Sequence, residues 1–168
     1  MTPDDRAGPR RAPTRRAIAL IIEQPGRAGA SEAADGGPRW LTVRRPDDDP
    51  DLPGVWGLPA GSRAEGETAE ALVHRIGREK LGVETADLGP LSEGCVDRDG
   101  YRLSMRLHAA RIESGDPHVP QPIPGVTQYS AWRWQAPTAL RDGAESGSLC
   151  CRLALDTAAA PNPGSPWQ

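Results

Sequence analysis

Apolar and polar positions change rhythm along the chain, and each rhythm predicts an element. Ala17–Glu23 (AIALIIE) is an unbroken apolar run of strand length, the pattern of a central strand. Arg39–Arg45 (RWLTVRR) alternates with a period of two and reads as a second strand; a Gly/Ala-rich segment from Gly26 to Pro38 joins them. Pro46 to Pro59 is loop. From Thr68 to Lys80 (TAEALVHRIGREK) the spacing becomes helical, with Ala71, Leu72, Ile76 and Glu79 on adjacent rows and Gly82 as the stop. Leu91–Val96 and Tyr101–Ile112, around the turn Asp97-Arg98-Asp99-Gly100, form a predicted hairpin. Pro117 to Gly125 is Pro-rich and irregular, Tyr129–Trp134 is one more strand, and Ser146–Ala159 is a closing helix with Cys150, Leu153 and Leu155 on one side. This order predicts a mixed α/β sandwich.

The ends break the pattern. Residues 1–16 carry three Pro and five Arg and almost nothing large and apolar, so they read as a disordered tail. Residues 158–168 read as a flexible C-terminal tail in which Trp167 is the one group able to dock. A single domain over 17–157 lies between them, and a chain of 168 residues leaves little room for a second core. Leu, Ile and Val number only 27, and Phe is absent, so five Trp must supply much of the bulk. The formal charge of -3 removes the basic footprint of a nucleic-acid binder, and no apolar run reaches membrane-spanning length. A cytoplasmic protein is expected. Cys150 and Cys151 adjoin and Cys95 is distant, so neither a disulfide framework nor a metal knuckle is indicated.

Gly54–Val83 (GVWGLPAGSRAEGETAEALVHRIGREKLGV) resembles the Nudix box, G-x5-E-x7-R-E-U-x-E-E-x-G-U with U a bulky aliphatic. Gly61, Glu67, Arg75, Glu79, Gly82 and Val83 take its positions. Gly61, Arg75 and Gly82 are then the structural residues of the motif. Trp132 sits where many family members have a strand Trp, and the resemblance spans roughly Ala17 to Leu155. It implies a Nudix-like α/β/α sandwich around a mixed sheet, a small-molecule substrate and, as in many members, a homodimer.

The chemistry of such a box rests on a helix placing carboxylates at i, i+3 and i+4 on one face, where they hold divalent cations that bridge a diphosphate and prepare water for attack. Here the three positions are Ile76, Glu79 and Lys80, and only one is an acid. At roughly 4 Å and an effective dielectric near 20, an ammonium opposes each unit of cation charge by about 4 kcal/mol. The expectation is therefore a degenerate box with no metal cofactor. Lys80 is the only Lys beside 19 Arg, usage that suggests a high-GC bacterium. It is either a fixed cation in the vacated metal position or an exposed Lys favouring the helix dipole. Gly77, at an aliphatic position, either opens space beneath the helix or is tolerated erosion. Arg75 has partners within reach in Glu79 and Glu67.

Glu79, Lys80 and Glu67 are the candidate catalytic residues, and Arg45, Tyr101, Trp132 and Ile76 the candidate substrate contacts. Glu79 and Glu67 become metal ligands only if a metal binds at all. His74, His108 and His118 share no ligand spacing. Three functions fit: a repurposed enzyme acting on a small organic or nucleotide-like metabolite without two-metal diphosphate hydrolysis; a Mg- or Mn-dependent nucleoside diphosphate-X hydrolase with an atypical metal site; or a non-catalytic ligand-binding or regulatory module.

Overall fold

In the computed structural model, which describes residues 10–26, 36–120, 124, 128–160 and 166–167, the apolar run lies in strand β1 (Thr14–Ile22). It is apolar in succession because both its faces are covered. Ala17, Ala19 and Ile21 enter one core cluster, while Ile18, Leu20 and Ile22 enter another. The remaining strands are β2 (Trp40–Arg44), β3 (Trp56–Gly57), β4 (Ala60–Ser62), β5 (Glu84–Arg98), β6 (Tyr101–Ser114) and β7 (Ala131–Gln135). One mixed sheet runs β4-β1-β6-β5, with β1 parallel to β6 and the other pairs antiparallel. A second, antiparallel sheet runs β3-β2-β7.

Helix α1 (Ala69–Ile76) places Leu72, Val73 and Ile76 on one side of the mixed sheet. Thr68 caps it, its hydroxyl accepting from the Ala71 amide at 3.1 Å. Two further helices follow, α2 (Arg141–Glu145) and α3 (Leu149–Ala159). From α3, Leu149, Cys150, Cys151, Leu153 and Ala154 enter the cluster on the opposite side, with Ser148 as its cap. The result is the expected sandwich of a mixed sheet between helices.

Several expectations change. The strand begins at Thr14, inside the stretch 1–16 expected to be tail, because Thr14–Arg16 pair with Arg102–Ser104; ladder bonds order a polar segment that has no apolar surface to bury. Residues 1–9 lie outside the described residues. The hairpin arm is longer than Leu91–Val96, since Gly89 and Pro90 are absorbed in register shifts, Gly89 at φ 105°. The motif helix ends as an α-helix at Ile76 and continues as a π-helical turn over Gly77–Leu81, closed by Gly82 at φ 62°. The short turns over Pro137–Leu140 and α2 carry too few residues to show a period. Of 158–168, Ala158 and Ala159 are helical, and the Trp167 indole N–H donates to the Ala110 carbonyl at 3.0 Å. Most of the joining segment Gly26–Pro38, parts of Pro117–Gly125, and residues 161–165 and 168 lie outside the described residues.

Candidate functional site

Arg75 organises the motif. Its Nε and Nη2 donate to the two oxygens of Glu67 at 2.8 and 2.9 Å, a fork that matches a carboxylate. Nη1 reaches Glu79 at 3.2 Å, and Nη2 also reaches the Ser62 carbonyl at 2.7 Å. Glu67 accepts a further bond from the Ala64 amide at 3.0 Å. The Arg75 hydrogen bonds hold the Glu67 carboxyl down at about 2, against a smaller opposing effect of burial. Gly61 lets α1 approach β4, because a Cβ there would stand 3.0 Å from Ile76 Cγ1. At Gly82 the His118 ring occupies the space a Cβ would need, and the left-handed backbone favours glycine as well.

The two positions where carboxylates are missing turn inward. Ile76 is 1% exposed and packs in the core under Gly61, so its expected contact with substrate is corrected: it is a core residue. Lys80 is 6% exposed, not a solvated helix-end lysine. Its Nζ lies 5.4 Å from the centroid of the Tyr129 ring. Burial pulls its ammonium down to about 8, the Glu79 charge opposing this and Arg75 and Arg45 adding to it. Gly77 opens no pocket, since a Cβ there would meet Thr85 Oγ1 at 2.6 Å. Thr85 fills the space and donates to the Val73 carbonyl at 3.0 Å, on the helix just before the π-helical turn.

Tyr129 connects this corner to a small cleft of about 60 Å³ lined by Arg45, Leu58, Arg98, Tyr129, Ser148 and Cys150 among others. The Ala60 amide donates to the Tyr129 hydroxyl at 3.1 Å, and burial pushes that phenol up to about 12. Arg45 is held at 3.1 Å by Asp49, which itself accepts from the Asp51 and Leu52 amides. Burial works against the Asp49 charge, but those amides and Arg45 keep its carboxyl below the ordinary range.

Of the expected site residues, Glu67, Glu79 and Arg75 are brought together, Lys80 lies against Tyr129, and Arg45 lines the cleft. Two others are engaged elsewhere: the Tyr101 ring faces the Arg15 guanidinium at 4.1 Å near the hairpin turn, and Trp132 meets Trp134 edge to face at 6.0 Å against the core. Tyr129, Arg98, Ser148 and Cys150 were not foreseen. Only Ser148 left a trace in the sequence, as a capping residue ahead of an apolar run.

No protein-family model matches the chain, and no curated protein does. Solved structures do. A MutT Nudix hydrolase from Burkholderia pseudomallei aligns over 87% of this chain and 98% of its own at TM-score 0.65 and 23% identity. A Nudix hydrolase from Nitrosomonas europaea aligns over 86% and 88% at TM-score 0.64 and 14% identity. The chain has the Nudix hydrolase fold. A Caenorhabditis elegans Ap4A hydrolase shares it at TM-score 0.57 and 18% identity, over 87% of this chain and 99% of that one.

On the Nudix fold the motif helix is the expected seat of divalent ions, and the residues here do not fit them. Position 76 is hydrocarbon inside the core and position 80 is an ammonium. Glu67 and Glu79 are both bonded to Arg75. Among the described residues no group of three or more His, Cys, Asp or Glu side chains could hold a metal ion.

Proposed function

We propose that this Nudix-fold protein is a repurposed enzyme that uses its cleft for a small organic or nucleotide-like metabolite, without two-metal diphosphate hydrolysis. One observation carries the reading: the positions that would complete a carboxylate trio hold a buried hydrocarbon and a buried ammonium. In place of a mobile divalent ion the site has cations fixed to the chain. Arg45 lines the cleft and Lys80 lies behind its Tyr129 wall, an arrangement suited to an anionic or carbonyl-bearing ligand. Glu79, with 26% of its side chain exposed, is the carboxylate available for proton transfer.

Incubation with a panel of nucleoside diphosphate derivatives and small acidic metabolites, in magnesium, manganese or EDTA, tests this by mass spectrometry of the products. The expected result is turnover that survives EDTA. Brisk pyrophosphate cleavage that requires magnesium overturns it and establishes the second reading, a metal-dependent hydrolase, which the ADP-ribose pyrophosphatase and Ap4A hydrolase among its structural neighbours favour. A ligand that raises the melting temperature and stays chemically unchanged assigns the chain to a binding module instead.

A further inference from the structure

Helix α1 has eight residues and is about 12 Å long, whereas β6 beneath it has fourteen and is about 46 Å long. Beyond the start of α1 at Ala69 the sheet face on its side is left uncovered by the helix, and the floor changes there from hydrocarbon to guanidinium. Ile18, still in the core cluster under the helix, is preceded on the same face of β1 by Arg16. Strand register gathers the rest. Arg16 stands opposite Ser104 on β6, Ile18 opposite Arg106, and Arg106 opposite Glu93 on β5. On the other side of β1, the pairing of Ala17 with Ser62 brings Arg63 beside Arg16, and the Arg63 amide donates to the Arg16 carbonyl at 2.8 Å. Arg16, Arg63, Ser104, Arg106 and Glu93 line one cavity of about 220 Å³. It shares no wall with the cleft of Arg45 and Tyr129.

The charges around this cavity do not balance. Glu93 meets Arg106 at 3.4 Å, the Arg63 Nε donates to the Glu67 carbonyl, and among the described residues no carboxylate forms an ion pair with Arg16. Like charges directly opposite across a β-ladder destabilise it, and Arg16 and Arg63 are such a pair. Guanidiniums that only solvate a face point apart into water, whereas these three share one concavity. We propose that the cavity is a binding site for a phosphate or diphosphate group. The guanidinium fork matches phosphate oxygens with paired N–H donors, and an anion of two or more charges offsets three arginines held against one glutamate. Glu93 repels such an anion, and its pair with Arg106 limits the repulsion. At about 220 Å³ the cavity is smaller than the roughly 300–1,000 Å³ that encloses a drug-sized ligand, so it takes the anionic group and not a whole nucleotide. Arg16 and Arg63 also line a neighbouring groove of about 430 Å³ with Thr14, Ser62 and Gly66, where the rest of a phosphorylated molecule has space.

Calorimetric titration of the full chain with inorganic pyrophosphate, inorganic phosphate and ribose 5-phosphate, in EDTA at fixed ionic strength, tests the assignment. Saturable binding is expected, weakened roughly tenfold or more by Arg16→Gln and by Arg106→Gln, the loss that follows from one charge-assisted hydrogen bond. Both side chains are exposed, so the variants are expected to melt at the wild-type temperature without anion and to lose the upward shift that pyrophosphate gives the wild type. The Arg16-sensitive binding is expected to persist in Arg45→Gln. Tighter binding of pyrophosphate identifies a free anion as the ligand, and tighter binding of ribose 5-phosphate a phosphorylated molecule seated along the groove; either supports the site. No saturable binding, or binding that Arg45→Gln abolishes and Arg16→Gln and Arg106→Gln leave at wild-type strength, overturns the proposal. No turnover is read in these titrations, so failure here is distinguishable from failure of the functional reading.

Discussion

Arg75 holds oxygens from three places, the Glu67 loop, its own helix and the end of β4, so its removal unties all three at once. Arg75→Met is expected to cost ~1–2 kcal/mol in a urea melt, since the pairs are charge-assisted but partly solvated. Glu67 supplies a pH signature. Its carboxyl is at about 2 in the fold against 4.5 ordinarily, so the folded state binds fewer protons between these values. Stability is thus complete above about 4.5 and is lost as pH falls towards 2; Glu67→Gln should flatten that limb of the melting-temperature profile. Lys80 gives a climb of the same sign in a higher window, although here it is the charged form that the fold disfavours. With its ammonium at about 8 in the fold against 10.5 ordinarily, the unfolded chain binds more protons between these values and stability should climb with pH across that window. Lys80→Met is expected to remove the climb and to stabilise the protein at neutral pH by ~1–3 kcal/mol, because a buried ammonium is replaced by hydrocarbon. If the proposed function holds, the same substitution lowers turnover.

At the scale of elements, the motif helix and β5 are matched by a missing Cβ and a hydroxyl. Gly77→Ala gains about 1 kcal/mol of helix propensity, yet the new methyl would lie 2.6 Å from Thr85 Oγ1 and 2.8 Å from its Cγ2. A net loss of ~1–3 kcal/mol is expected. Combining it with Thr85→Ala should cost less than the two single changes summed, which a double-mutant cycle measures. This fit also marks where sequence reading stopped. The helix start was legible from Thr68 and the spacing of Leu72 and Ile76, and β1 from its apolar run. The π-helical turn was not, because the inserted geometry depends on a neighbour eight residues further on. Helical spacing alone put positions 76, 79 and 80 on one face, but which way Ile76 and Lys80 point is decided by packing against Gly61 and Tyr129. The cleft was hidden for a related reason. Arg45, Tyr129 and Cys150 are far apart in sequence and converge only when the second sheet closes over the first turn of α3.

Among the described residues, the buried apolar side chains gather in two clusters on opposite faces of one sheet, and the last aromatic, Trp167, packs against one of them. Trp167→Ala removes both that packing and the bond to the Ala110 carbonyl. A destabilisation of ~1–3 kcal/mol in denaturant is expected. The tie between loop and helix at Glu67 and Glu79 has a practical corollary. A guanidinium belonging to the chain cannot be stripped by chelators, diluted away or displaced by nickel from a purification resin. That corner should keep one shape from cell lysis to crystallisation drop, whatever salts the buffers contain at moderate ionic strength.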